Sequence, residues 1–238
     1  MAQNDIEAFV YDVDGTFYHL GQMRRLMARE FGIEFLRAPL KTLREFKHVQ
    51  AYRKAQEVLR EANRGTNMDE SVNEDLQLAH AAQSLGIGVN DLAPTIDAWI
   101  RERPKKILNQ CVRVPVIDAI GILNGFKVPQ AVYSDYPATE KLELFGVKDS
   151  IGIQVSSSDP NVGEFKPSPK GFLLTAELLG IEPERIAFVG DRPDVDEVGA
   201  RAAGMKFIHV DEMTASVIAE ARELDRAGAI ARIARAAT

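Results

Sequence analysis

Cysteine is almost missing from this chain: Cys111 is the only one in 238 residues. A lone thiol forms no internal disulfide, and such scarcity suits a reducing compartment. No electropositive motif surrounds Cys111, so a buried packing role is favoured over a reactive one. No apolar run approaches the ~20 residues that a membrane helix needs, so no membrane partner is expected. The opening Met1-Ala2-Gln3-Asn4-Asp5 has neither a basic segment nor an apolar stretch, so no secretory signal is expected and a cytoplasmic location is. Positive charge is not in excess. A net charge of −6 and a pI near 5.4 give no sign of nucleic-acid binding, and no nucleic-acid partner is expected. The four histidines, His19, His48, His80 and His209, have no metal-ligand spacing. His19 could line a pocket, although a structural or exposed role is favoured. Internal repeats and low-complexity tracts are absent.

What is present divides by texture. The run Ile6-Glu7-Ala8-Phe9-Val10-Tyr11 reads as a buried strand. From residue 18 to about 110 the periodicity is helical. Leu20, Met23, Met27 and Phe31 mark one face, and Pro39 opens a long helix running to about Asn63. Met68, Val72, Leu76, Ala79, Ala82 and Leu85 mark a third helix stopped by Gly86. Leu92, Ile96, Trp99 and Ile100 mark a fourth, with Asp91 as cap and Pro94 in its first turn. Four helices with short connections suit a small bundle.

From about residue 112 helices alternate with strands at Val128–Ser134, Ile151–Val155, Ile186–Val189 and Lys206–Val210. Such alternation predicts a Rossmann-like parallel sheet with helices on both faces. The first strand belongs to this sheet, because one strand alone is not stable. Residues 1–17 and 111–238 therefore form an α/β core, and residues 18–110 an all-α cap inserted after its first strand. The insert is electrically lopsided: residues 19–64 are rich in Lys and Arg, and residues 65–100 have acids but neither. Side-by-side packing of basic and acidic helices is the favoured explanation. The alternative is that some of Arg24, Arg25, Lys41, Arg44 and Lys47 draw in an anionic substrate.

The first strand ends in Asp12-Val13-Asp14-Gly15-Thr16. Residues i and i+2 share a face while a strand persists, and Gly15 breaks it, so both acids can turn toward one pocket. In open parallel sheets ligands bind beyond the carboxyl ends of the strands. Other polar residues fall at such ends: Ser134-Asp135; Lys166 in Gly163-Glu164-Phe165-Lys166-Pro167-Ser168-Pro169; and Asp191, Asp194 and Asp196 after Ile186-Ala187-Phe188-Val189-Gly190. Each alone reads as a turn, a cap or a solvated lysine. Their shared placement is harder to dismiss.

With these motifs in this order, and with Gly199-Ala200-Arg201-Ala202-Ala203-Gly204-Met205 beyond them, the sequence resembles the haloacid dehalogenase-like hydrolase superfamily, on its phosphatase branch. The resemblance covers residues 6–17 and 112–212; the helical insert sits where the family carries a cap. It implies a Mg²⁺-dependent phosphatase acting on a small phosphorylated metabolite. Asp12 would be the nucleophile that forms an aspartyl-phosphate, and Asp14 the general acid and base. Asp14 must then be neutral at the first step, so a raised pKa is expected. Asp12, Asp191 and the Asp14 backbone carbonyl would hold Mg²⁺, with Asp196 in support; Asp194 is as suited to capping a helix. Lys166 and Ser134 would bind the transferring phosphoryl group, with Gly15, Thr16 and Asp135 against the substrate.

Arg192 departs from the commonest family pattern, where Ser is frequent; it reaches either substrate or solvent. Asp135 stands where many members have Asn. The cap would serve as a lid. A phosphomutase sharing the intermediate, and a silent binding or regulatory protein that kept the fold, are the alternatives. Dehalogenation is disfavoured, since it needs neither Asp14 nor an acid-rich metal site. The substrate, and whether the protein is a monomer or homodimer, are not readable.

Overall fold

The computed structural model describes residues 6–62 and 74–234. Met68, Val72 and the expected end of the second helix at Asn63 lie outside them. The described residues form two compact units, one from 6–18 with 112–234 and the other from 19–62 with 74–111.

Strand β1 (Ala8–Tyr11) opens the first unit, and all four of its residues are buried. The chain leaves this unit after Tyr18 and re-enters at Val112, where an antiparallel bridge joins the two residues. The Arg113 N–H donates to the Phe17 carbonyl at 2.9 Å, reinforcing the junction.

The second unit is helical: α1 (Leu20–Arg37), α2 (Pro39–Ala62), α3 (Glu74–Leu85) and α4 (Val89–Ile96), which passes through a π-helical turn at Asp97–Glu102 into α5 (Arg103–Lys105). Tyr52, Ala55, Ala81, Ala82, Leu92 and Ile96 form its buried cluster. The Gln77 amide crosses from α3 to donate to the Tyr52 carbonyl at 2.9 Å. Trp99 donates to Glu45 at 3.0 Å while the Arg103 guanidinium covers its ring at 4.3 Å. Helix α4 starts at Val89, capped at Gly88, so Asp91 falls inside its first turn and Pro94 beyond it rather than at cap and first turn. Pro94 lacks the N–H that would continue the ladder, and π-helical backbone follows within three residues. Arg24, Arg25, Lys41, Arg44 and Lys47 are all exposed.

Back in the first unit come α6 (Val114–Gly125), β2 (Gln130–Ser134), α7 (Thr139–Leu144), β3 (Ile153–Ser156), α8 (Lys170–Leu179), β4 (Ile186–Gly190), α9 (Val198–Ala202), β5 (Lys206–His209), α10 (Ala215–Arg222) and α11 (Arg226–Ala234). The five strands pair in parallel in the order β3-β2-β1-β4-β5. Alternate residues Ala8, Val10, Ala131, Tyr133 and Phe188 pack on one face with Phe172 of α8 and Ala200 of α9. On the other face Gln130 reaches α6, donating to the Ile120 carbonyl at 3.1 Å and accepting from Tyr11 at 2.9 Å. Helices thus cover both faces of an α/β sheet, as the alternation predicts.

Two helical stretches of this unit are divided. The stretch after β4 begins as a π-helical turn, Pro193–Glu197, before α9. The last helix breaks at Asp225, whose carboxylate accepts the Gly228 N–H at 2.8 Å and starts α11. The strand order reverses between β1 and β4, so a crevice opens at their carboxyl ends. Asp12 follows β1 and Asp191 follows β4.

Candidate active site

Lys166 is the centre of this crevice. It is 2% exposed, and its ammonium donates to Asp12 Oδ1 at 2.5 Å and Asp196 Oδ1 at 2.7 Å. The rings of Tyr133 and Phe188 lie 5.6 Å from it on β2 and β4. Its backbone is fixed from behind, where the Lys166 N–H donates to Asp135 Oδ1 at 3.2 Å. Ser157 also donates to that oxygen at 3.2 Å, so Asp135 ties both ends of the loop between β3 and α8. Burial works against the charge on Lys166, but Asp12, Asp196 and Asp135 outweigh it and raise its pKa well above the ordinary lysine value.

Asp12 is 4% exposed. Its second oxygen accepts from the Thr16 hydroxyl at 3.2 Å. Burial raises its pKa against the pull of Lys166, and Asp196 adds to the rise. Asp196 is 1% exposed and accepts the Arg192 N–H at 3.1 Å through Oδ2. A side chain at Gly190 would run into the Asp196 carboxylate, so the bare backbone there lets the π-helical turn close onto the strand end. Gly15 matters in the same way: its φ of +99° suits glycine, and a Cβ on it would collide with the Asp191 carboxylate. The Gly15 carbonyl accepts from Arg113 at 3.1 Å.

Asp191 is partly exposed overall, yet its Oδ1 is buried with no hydrogen-bond partner. Burial, then Asp196, raise its pKa to about 6. One oxygen each from Asp12, Asp191 and Asp196 lie within 4.8 Å of one another. Three carboxylates this close, with one Asp191 oxygen buried and unpartnered, suit a hard divalent cation. These residues fit such an ion.

The other expected residues separate. Ser134 ends β2, 2% exposed, and its hydroxyl has no hydrogen bond to a described residue. Arg192 turns its guanidinium to Asp194, at 2.8 Å, and both side chains are exposed. Asp194 lies inside the π-helical turn Pro193–Glu197 rather than at its cap position, and its carboxylate accepts from that arginine.

Asp14 corrects an expectation. Its pKa is lowered, not raised. Burial pushes it up, but the Lys141 ammonium and the Tyr18 hydroxyl outweigh burial. Tyr18 donates to Asp14 Oδ1 at 2.7 Å, and Lys141 donates to the same oxygen. Sequence reasoning missed Lys141, Tyr18 and Arg113. Lys141 sits on a six-residue helix and Arg113 just before α6, with no motif around either. Tyr18 stands two residues past the first motif, and only that proximity marks it. Cys111 is buried and burial raises its pKa, as suits an unreactive thiol.

A family model for haloacid dehalogenase-like hydrolases matches residues 6–204. The chain belongs to that family. This haloacid dehalogenase-like hydrolase is 29% identical over 212 residues to a glyceraldehyde 3-phosphate phosphatase from Methanopyrus kandleri, covering 86% of this chain and 84% of the relative. It is 33% identical over 98 residues to a phosphoglycolate phosphatase from Chromobacterium violaceum, covering 40% of this chain and 43% of that one. Among solved structures, L-2-haloacid dehalogenase from Xanthobacter autotrophicus superposes with a TM-score of 0.59 at 18% identity, over 97% of this chain and 88% of that one. At that identity the likeness concerns the fold. No helix among the described residues of this hydrolase is long and apolar enough to cross a membrane.

Proposed function

We propose that this hydrolase is a Mg²⁺-dependent phosphatase that cleaves a small phosphorylated metabolite through an aspartyl-phosphate on Asp12. The observation that carries the reading is the buried, unpartnered Asp191 Oδ1 beside Asp12 and Asp196. Three carboxylates there face one ammonium, Lys166, and a divalent cation would balance them. The phosphatase activities named for the Methanopyrus and Chromobacterium relatives point to the same chemistry.

Asp12 and Asp191 would hold the ion, with the Asp14 carbonyl and Asp196 in support; bound there, Mg²⁺ would neutralise charge on the phosphate. The Asp12 carboxylate attacks phosphorus, and the bond from phosphorus to the ester oxygen breaks. Asp14, held ionised by Lys141 and Tyr18 in the substrate-free chain, first takes up a proton from water, as the negative charge of a bound phosphate favours. It gives that proton to the ester oxygen through Oδ2, the oxygen not engaged by Tyr18 and Lys141. Lys166 and the unengaged Ser134 hydroxyl hold the transferring oxygens. Water then attacks phosphorus, Asp14 takes its proton, and phosphate leaves with Asp12 restored. The ionised state that Lys141 and Tyr18 favour suits this base role.

The test is phosphate release from a panel of phosphorylated metabolites with Mg²⁺. Release by the native protein, abolished in Asp12→Asn, supports the reading. No release from any of them, or an unaffected variant, refutes it.

A further inference from the structure

We infer that Lys141 is a specificity residue, and that the alcohol portion of the substrate carries an anionic group, a carboxylate or second phosphate, that Lys141 binds. The inference rests on the phosphatase reading, which places Asp14 against the leaving oxygen.

The geometry separates two lysines. Lys166 is buried among Asp12, Asp196 and two aromatic rings, on the phosphoryl side. Lys141 stands on the other carboxylate, Asp14, and stays open to solvent: its side chain is 27% exposed and that of Asp14 is 36% exposed. An ammonium has three N–H donors. Among the described residues, Asp14 Oδ1 is the one acceptor for Lys141. Its other donors are therefore free, at the partly open end of the site, one carboxylate away from the departing alcohol.

Charge argues the same way. An anionic leaving group beside the Asp14 carboxyl needs a positive partner there. The Lys141 ammonium, already on Asp14 Oδ1, can bridge that carboxyl and the anion. A neutral leaving group gains nothing from it. Arg192, the other cation near the strand ends considered from sequence, is turned to Asp194 instead.

The experiment compares phosphoglycolate with its neutral carboxamide, in the native protein and in Lys141→Met and Lys141→Arg. Any effect of Lys141 on Asp14 itself acts on both compounds and cancels in the ratio of their kcat/KM values. The native protein should prefer the carboxylate by about tenfold or more, as a charge-assisted hydrogen bond gives. Lys141→Met should bring that ratio close to one, mainly through KM for the carboxylate, and Lys141→Arg should restore much of it. Loss of activity on both compounds to the same extent in Lys141→Met, or no preference in the native protein, would overturn the inference while leaving the phosphatase reading intact. Release of phosphate from neither compound nor any other monoester would instead strike at the phosphatase reading.

Discussion

The Lys166 ammonium lies 2.5 Å from Asp12 Oδ1, joining residues that are 154 positions apart in the chain. Neither residue is more than 4% exposed, so each answers the other's charge with little help from water. Asp196 shares the ammonium from the far side. The proposed nucleophile is thus oriented by a buried ionic triad.

Removing the lysine leaves two buried carboxylates without a counter-charge. Lys166→Met should lower the stability of the metal-free protein by about 3 kcal/mol, read by urea denaturation. It should also reduce kcat by about 10²-fold or more, since charge on the transferring group loses its donor. A variant of native stability, or one affected only in KM, would contradict this role.

Asp191 links pH to stability. Its pKa is raised to about 6 in the folded chain, so the fold binds that proton more tightly than the unfolded chain does. Stability is then lost as pH rises from the ordinary carboxylate range to about 6, and the full loss persists above it. Without metal, Asp191→Asn should be more stable than the native protein at pH 7.5, by roughly 1–2 kcal/mol after allowing for its partial exposure. Below pH 4 the two should coincide. Added Mg²⁺ should reverse the order, raising the native Tm more than that of the variant. Equal Mg²⁺ shifts in the two would remove Asp191 from the metal site.

Asp14 should respond to its neighbours in the opposite sense. Lys141 and Tyr18 hold its pKa down against burial. In Lys141→Met burial gains the upper hand, so the Asp14 pKa should rise. The limb of the kcat/KM profile that depends on protonated Asp14 should move to higher pH. An unmoved limb would show that Lys141 does not control this carboxyl.

Much of the fold is legible in the sequence because strand and helix periods differ. Val10, Tyr133 and Phe188 sit in apolar runs that only buried parallel strands explain, and Asp12 and Asp191 close two of those runs. Element edges are less legible. Asp225 capping α11 is a local hydrogen bond that competes with a continuous helical pattern. Likewise, Lys166 and Asp196 stand out through motif, whereas Lys141 and Arg113 do not. Their partners, Asp14 and the Gly15 carbonyl, are about a hundred or more positions away, and only the folded chain brings them together. The lowered pKa of Asp14 was hidden for the same reason: the neighbouring acids are visible in sequence, and the lysine that outweighs burial is not.

The most direct measurement is acid quenching during turnover of a labelled phosphate monoester, followed by mapping of phosphate bound to the protein. The account predicts hydroxylamine-sensitive phosphate on the peptide containing Asp12, at no more than one per chain, and none in Asp12→Asn. Steady phosphate release with the label on another residue, or undiminished release by Asp12→Asn, would contradict it.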